Sequence, residues 1–449
     1  MYKVYKVYKK TKQMKKIIIA LFAAVMALNS FAADRAHTLK VYSWEDYIDM
    51  DVLNGFKDWY KEMTGEDVHV LYQCFDKNES MLTQIEVGHE DYDVICPSEY
   101  IIERMLKSNL LQKLDKSLIP EDQCYFNNVA PFAVEKFRQM SDTEDVNDYT
   151  VGYMWGTTGF IYNPKYVSRD ELESWSALLN PRFKNQIYMK DAFRDVYSVV
   201  VLYAYNEEIE RGEVTRDELV RNITPERIAR VEKVLTDAKD NFAGWEVDFG
   251  KEEMTKGKAW MNLSWSGDAT WAIDEADKNG VALEYIVPKE GSNVWFDGWC
   301  IPKYAVNTKA ATWWINYLCM PENAIANMEE IGYVSVISSP EVLEWANKPQ
   351  DWDEPLDLSY FFGPEDTAVY ANPVLYADKS IIDHCALMHD AGEMNEELVK
   401  MWNRVKGDNL SMTMVIIIAV VVCIILIFVV RGILNRRKQQ KMQTKRRRR

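Results

Sequence analysis

The sequence predicts an α/β protein of two lobes joined by extended crossings, and three features of the chain carry that expectation. From Thr38 onward, strand-like runs alternate with amphipathic helical runs, the pattern of βαβ units on a parallel sheet. A long β-like stretch, Tyr149–Tyr162, then leads into a second α/β region that runs to about Val287. No repeat or low-complexity linker divides the two regions, so they are not independent beads on a string.

Taken in order, Leu39–Ser43 reads as a strand and Asp51–Thr64 as an amphipathic helix ending near Gly65. Asp67–Phe75 is rich in β formers, and Asn78–Val87 reads as helix. Tyr92–Cys96 is a short apolar strand stopped by Pro97, followed by a helix over Glu99–Lys107. After an Asp- and Asn-rich loop (141–148) comes the Tyr149–Tyr162 stretch. Val214–Lys239 mixes acids and bases as on a solvated helix face. Val294–Ile301 is a further strand, and helical pattern runs from Ala310 to Glu330. In open α/β sheets ligands sit beyond the carboxyl ends of the strands. Trp44-Glu45-Asp46-Tyr47 and Ser98-Glu99-Tyr100 fall there.

The two ends differ from the middle. Met14-Lys15-Lys16, an apolar run from Ile17 to Leu28, and Ser30-Phe31-Ala32 form a secretory signal, residues 1–32. Initiation at Met14 would make the cleaner signal. Near the other end, 412–430 is uncharged and rich in Val and Ile, about the 20 residues that cross a hydrocarbon core. The basic tail 431–449 belongs on the cytoplasmic side. The expected topology is a globular part outside, tethered by one C-terminal transmembrane helix. Setting aside the 17 basic residues of the two ends, which hold no acids, leaves 36 basic against 69 acidic residues, a net of −33. That balance argues against nucleic-acid binding and suits a cationic ligand, although acidity mostly serves solubility. Six of the seven cysteines lie in the exported part without a recognisable disulfide framework. Cys74 and Cys96, inside apolar runs, are expected as small buried thiols. No CxxC, His-rich cluster or zincin motif supports a metal site, and no cofactor is implied.

Aromatic residues beside carboxylates carry the chemistry. In Val294-Trp295-Phe296-Asp297-Gly298 alternation puts Trp295 and Asp297 on one side and Phe296 on the other. A ring face attracts an ammonium, and an adjacent carboxylate adds a charge-assisted hydrogen bond.

Six motifs in order now resemble the periplasmic spermidine/putrescine-binding proteins of polyamine ABC transporters, within the bacterial extracellular solute-binding proteins. They are Val41–Tyr47, Tyr92–Tyr100, Gly152–Gly159, Leu263–Gly267, Trp295–Asp297 and Ile331–Tyr333, within a likeness that runs from about Leu39 to Lys406. The resemblance implies a periplasmic-binding-protein fold with a hinge, closing over a polyamine for delivery to a permease. It places lobe 1 at 33–150 and 290–333, and lobe 2 at 151–289 and 334–409. It implies that Trp44 and Tyr47 line the first lobe, with Ser98 and Tyr100 as contacts after the third strand. Trp265 and Trp295 would sandwich the methylene chain, Asp297 would hold an amine, and Tyr333 would lie beside it. A polyamine needs carboxylates at both ends; the distal one falls to Asp191 or Asp195. Here the chain departs from the family, which carries adjacent acids, a short gap and Arg-Glu, whereas this sequence reads Lys190-Asp191-Ala192-Phe193-Arg194-Asp195. Glu45 stands where the family commonly has a hydroxyl, either adding a carboxylate or facing solvent. A polar side chain expected late in the chain falls near Met388.

The rival readings are a glycosidase, a sensory ectodomain and a binding protein for another cation or peptide. Paired carboxylates among aromatics suit a glycosidase, but no nucleophile motif such as G-x-S-x-G appears. The short basic tail holds no signalling domain. A non-enzymatic binding protein on the outer face of the cytoplasmic membrane, with polyamine, permease and membrane as partners, is the expectation.

Overall fold

The computed structural model describes residues 35–247 and 249–407. The signal segment 1–32, the apolar stretch 412–430 and the tail 431–449 lie outside the described residues. Among the described residues no helix is long and apolar enough to cross a membrane. One compact unit extends to Asn395 and a second begins at Glu396, where the amphipathic helix Asn395–Lys406 starts.

In chain order the strands are β1 (Thr38–Trp44), β2 (His69–Phe75), β3 (Val94–Ile95), β4 (Leu111–Gln112), β5 (Thr150–Tyr162) and β6 (Ile187–Lys190). They continue with β7 (Phe242–Glu246), β8 (Met261–Trp265), β9 (Glu284–Ile286), β10 (Asn293–Pro302), β11 (Val334–Ser335) and β12 (Ala386–Leu387). The helices between them start and stop on local chemistry. Met50–Thr64 is capped by the Asp49 side chain, which accepts from the amides of Asp51 and Val52, and it ends on left-handed Gly65 (φ 73°). Its Val52, Phe56 and Tyr60 share the buried face. Val214–Lys239, which reads as one helical section, holds two helices, and the helices expected over Ala310 to Glu330 are also two. Pro225 opens the helix Pro225–Asp237 behind a Thr224 cap, separating it from Arg216–Arg221. Pro321 likewise separates Thr308–Leu318 from Pro321–Ile331. Proline fits the first turn, where its missing N–H is not needed, and breaks a helix interior.

β1, β2 and β3 pair in parallel, as the βαβ pattern requires. The sheet as a whole is mixed, because β10 runs antiparallel to both β3 and β5. The order β2-β1-β3-β10-β5 continues as β8-β6-β7 on the far side of β5. β5 is the crossing. Its residues 150–157 pair with β10, while Thr158–Tyr162 pair with Trp265–Met261 of β8. All 13 residues of β5 and all 10 of β10 are buried, as expected of strands covered on both faces. Val41, Ile95, Trp155 and Phe296 belong to one hydrophobic core, and Ile161, Met254, Ala269 and Ala276 to another. Two lobes therefore share strands that continue through the hinge.

Two expectations need revision. The segment from 334, assigned to the second lobe, packs largely with the first. Val334 and Ser335 pair with Trp155 and Met154 of β5, and Val336, Leu358, Phe361 and Tyr376 join the core that holds β1. The first sheet also extends along β5 to residue 157, past the expected boundary at 150. Lobe identity depends on which strand a returning segment pairs with, and composition is blind to that. Cys96 is buried as expected, but Cys74 is exposed. It sits on β2, at the edge of the sheet, where only Phe75 is buried. The six described cysteines are free thiols.

Candidate functional site

Asp297 lies on β10 where its register with β5 shifts, between Phe296 and Gly298. It bridges to Ser98, and the Gly298 amide donates to the Pro97 carbonyl at 3.1 Å. This brings the ends of β1 and β3 against the hinge strand. The Tyr47 hydroxyl donates to Asp297 Oδ2 at 2.7 Å and the Ser98 hydroxyl to Oδ1 at 2.7 Å. Tyr47 is itself held by the Tyr153 hydroxyl, which donates to the Tyr47 carbonyl at 2.9 Å. The loop that carries it turns at Asp46, whose left-handed backbone (φ 51°) an Asp tolerates better than most residues. Burial pushes the Asp297 carboxyl up to about 6; the Ser98 and Tyr47 donors oppose that rise and the Asp195 charge adds to it.

Asn78, the first residue of the helix Asn78–Glu86, ties two further groups together. Its side-chain amide donates to the Ser98 hydroxyl at 3.0 Å and to the Tyr100 hydroxyl at 3.0 Å. Glu99 points inward and accepts from the Phe296 amide at 3.1 Å. Burial holds its carboxyl well above the usual range.

From the second lobe comes Asp195, in the first turn of the helix Phe193–Ala204. Its Oδ1 accepts from the Trp265 indole N–H at 3.0 Å and from the Asn293 amide at 3.0 Å. Burial raises its pKa against the Trp265 and Asn293 hydrogen bonds and the Lys190 charge. The two buried carboxylates thus feel each other, and their side-chain hydrogen bonds come from neutral donors.

Three rings join this set through Tyr47. Trp295 meets Tyr333 edge-on at 5.4 Å between centroids, and Tyr333 meets Tyr47 at 5.5 Å in the same manner. Glycines permit this approach. A Cβ at Gly156 would fall 2.6 Å from the Trp295 ring, and one at Gly267 would fall 2.3 Å from the Tyr333 ring. The Tyr333 hydroxyl donates to Asp268 Oδ1 at 3.0 Å. Asp268 also binds Lys190 at 2.8 Å and Lys251 at 3.2 Å. Burial would raise the Asp268 carboxyl, but the two ammonium groups bring it below its ordinary value.

Of the residues singled out from sequence, Tyr47, Ser98, Trp295, Asp297 and Tyr333 form one connected set, with Tyr100 joined to it through Asn78. Trp265 joins through Asp195. Of the two candidate distal acids, Asp195 takes the Trp265 N–H; Asp191 follows β6, its amide donating to the Glu246 carbonyl at 2.6 Å. Trp44 packs on Phe75 at 4.5 Å, and its buried indole N–H has no partner. Glu45 faces solvent. Met388 is buried against Asn293, whose amide lies 3.5 Å from its sulfur. Sequence reasoning passed over Asn78, Asn293, Lys190 and Asp268. Asn293 has the same strand parity as Trp295 and Asp297, so alternation alone could have found it. Among the described residues no group of three His, Cys, Asp or Glu could hold a metal ion.

The arrangement gathers hydrogen-bonded acids and aromatic edges and faces that can hold a slender cation. The family described as bacterial extracellular solute-binding protein matches residues 56–354. The chain is 28% identical over 295 residues to the spermidine/putrescine-binding periplasmic protein of Salmonella typhimurium, covering 66% of this chain and 76% of that one. It is 28% identical over 302 residues to the putrescine-binding periplasmic protein PotF of Escherichia coli, covering 64% and 75%. The structure of the spermidine/putrescine ABC transporter substrate-binding protein PotD from Streptococcus pneumoniae superposes with a TM-score of 0.61 at 26% identity, over 82% of this chain and 98% of that one.

Proposed function

The chain belongs to the bacterial extracellular solute-binding proteins, and from that premise we propose that it is the substrate-binding component of a polyamine ABC importer. It takes putrescine or spermidine between its lobes outside the cytoplasmic membrane and delivers it to the permease. The observation that carries this reading is the Asp297 carboxylate, oriented by the hydroxyls of Tyr47 and Ser98 beside the Trp295 and Tyr333 rings. Such a carboxylate gains a charge-assisted hydrogen bond when an ammonium arrives, and the rings cover the methylenes. Trp44, Tyr47, Ser98, Tyr100, Asp195, Trp265, Trp295, Asp297 and Tyr333 form the ligand site in this reading, with Asp195 as the distal acid. The function is physical: contacts that exist only with the lobes closed shift the population toward the form the permease recognises.

The finer part of the proposal is the tether. The signal 1–32 directs export, and the apolar stretch 412–430 holds the protein at the membrane, raising its effective concentration at the permease.

Calorimetric titration of the purified full-length chain with putrescine, spermidine and spermine tests the reading. One-to-one binding that Asp297→Ala abolishes is expected. Binding retained by the variant moves the site elsewhere, and absence of binding to all three amines overturns the polyamine assignment.

A further inference from the structure

Lys190 ends β6 with a side chain only 1% exposed, and its ammonium lies 4.1 Å from the centroid of the Trp265 ring. It binds Asp268 Oδ2 at 2.8 Å and the Val247 carbonyl at 2.5 Å, with Glu246 Oε1 at 3.9 Å. The protein has thus placed a cation of its own on one of the two tryptophans of the site. We propose that Lys190 is a specificity-determining residue that fills one ammonium position from within, so that the site accepts a linear diamine and discriminates against triamines and tetramines. This deepens the polyamine reading and rests on it.

The acids support this assignment when they are matched one by one. Asp268 is occupied: Lys190, Lys251 and the Tyr333 hydroxyl already bind it. Asp297 and Asp195 accept side-chain hydrogen bonds only from neutral donors, namely Tyr47, Ser98, Trp265 and Asn293, and the Lys190 charge reaches Asp195 without a direct contact. Glu99 is a third buried carboxyl, bound only by the Phe296 amide, and burial holds its pKa well above the usual range, which leaves Asp297 and Asp195 as the two acids to meet ligand ammonium groups. A third ammonium would approach Trp265 or Asp268 and meet the Lys190 charge, in a buried setting where screening by salt is weak. A ring face engaged at 4.1 Å by one cation also has little attraction left for a second.

Titration of the full-length protein and its Lys190→Met variant with putrescine, spermidine and spermine tests the assignment. The unmodified protein should bind putrescine at least tenfold more tightly than spermidine. Lys190→Met should raise spermidine affinity relative to putrescine affinity at least tenfold. Because the variant leaves Asp268 buried with one cation fewer, Lys190→Met/Asp268→Asn, which removes the pair together, is measured beside it with a thermal melt of each. If the folded variants keep the unmodified protein's putrescine-to-spermidine ratio within twofold, Lys190 does not set specificity. Equal affinity of the unmodified protein for all three amines also overturns the inference while leaving the polyamine reading intact. Absence of binding to every amine overturns that reading and the inference with it.

Discussion

Tyr47 and Asp297, 250 positions apart in the chain, meet in a 2.7 Å hydrogen bond from phenol to carboxylate. That contact joins the loop after the first strand to the hinge strand, and with Ser98 on the other oxygen it fixes the carboxylate before any ligand arrives. The charge is therefore preorganised, and the ligand does not have to order it.

The pH response follows from the same carboxylate. An Asp with an ordinary value of 3.8 is raised to about 6 by burial. Its charged form is disfavoured in the empty folded state, so the empty protein loses stability as pH rises from about 4 to about 6. The loss reaches about 3 kcal/mol above that window and is absent below it. A bound ammonium reverses the preference. Putrescine should therefore bind at least tenfold more weakly at pH 5 than at pH 7.5, with proton release on binding near pH 6. Calorimetry in buffers of different ionisation enthalpy reads both quantities. The Asp297→Asn variant should bind weakly at either pH; equal affinity of the unmodified protein at the two values would remove Asp297 from the ligand.

Gly267 marks where Tyr333 must come close. Gly267→Ala would ordinarily stabilise the helix Ser266–Lys278, since alanine favours helix by about 1 kcal/mol. Here the added methyl falls 2.3 Å from the base of the Tyr333 ring. Overpacking of this kind should produce a net loss of about 1–3 kcal/mol and push Tyr333 off Trp295. Thermal denaturation and the change in tryptophan fluorescence check it; a stabilised variant would show that Tyr333 yields freely.

Asn78 acts without touching the ligand in the proposed site. Its amide positions Ser98 and Tyr100 together. Asn78→Ala should weaken putrescine binding about five- to tenfold, the effect of roughly 1 kcal/mol for a lost hydrogen bond. The pH profile set by Asp297 should be retained. A titration series from pH 5 to 8 distinguishes this from loss of the acid itself.

The proposed tether makes a separate prediction. Removing residues 410–449 should reduce polyamine uptake by cells at low external ligand and leave the calorimetric affinity unchanged. Uptake assays at two ligand concentrations compare the two forms, and equal uptake at the lower one would exclude a role for the anchor in delivery.

By itself the sequence determined the strand–helix alternation through Lys107 and the long crossing strand. Those features are written in local periodicity and in strand stops such as Pro97. Ordered motifs also named most of the residues that converge. Tertiary structure alone decided which acid of the Asp191/Asp195 pair meets Trp265, since that depends on where the helix Phe193–Ala204 begins its first turn. It likewise decided that the segment after Val334 returns to the first lobe, because strand pairing between distant residues leaves no mark on either partner's composition. Lys190 is the clearest instance. In the sequence it is one more lysine beside an acid; folding buries it and matches it with Asp268, 78 residues away, above the face of an indole. A buried charge is stable only when its partners are brought to it, and that pairing is a property of the fold.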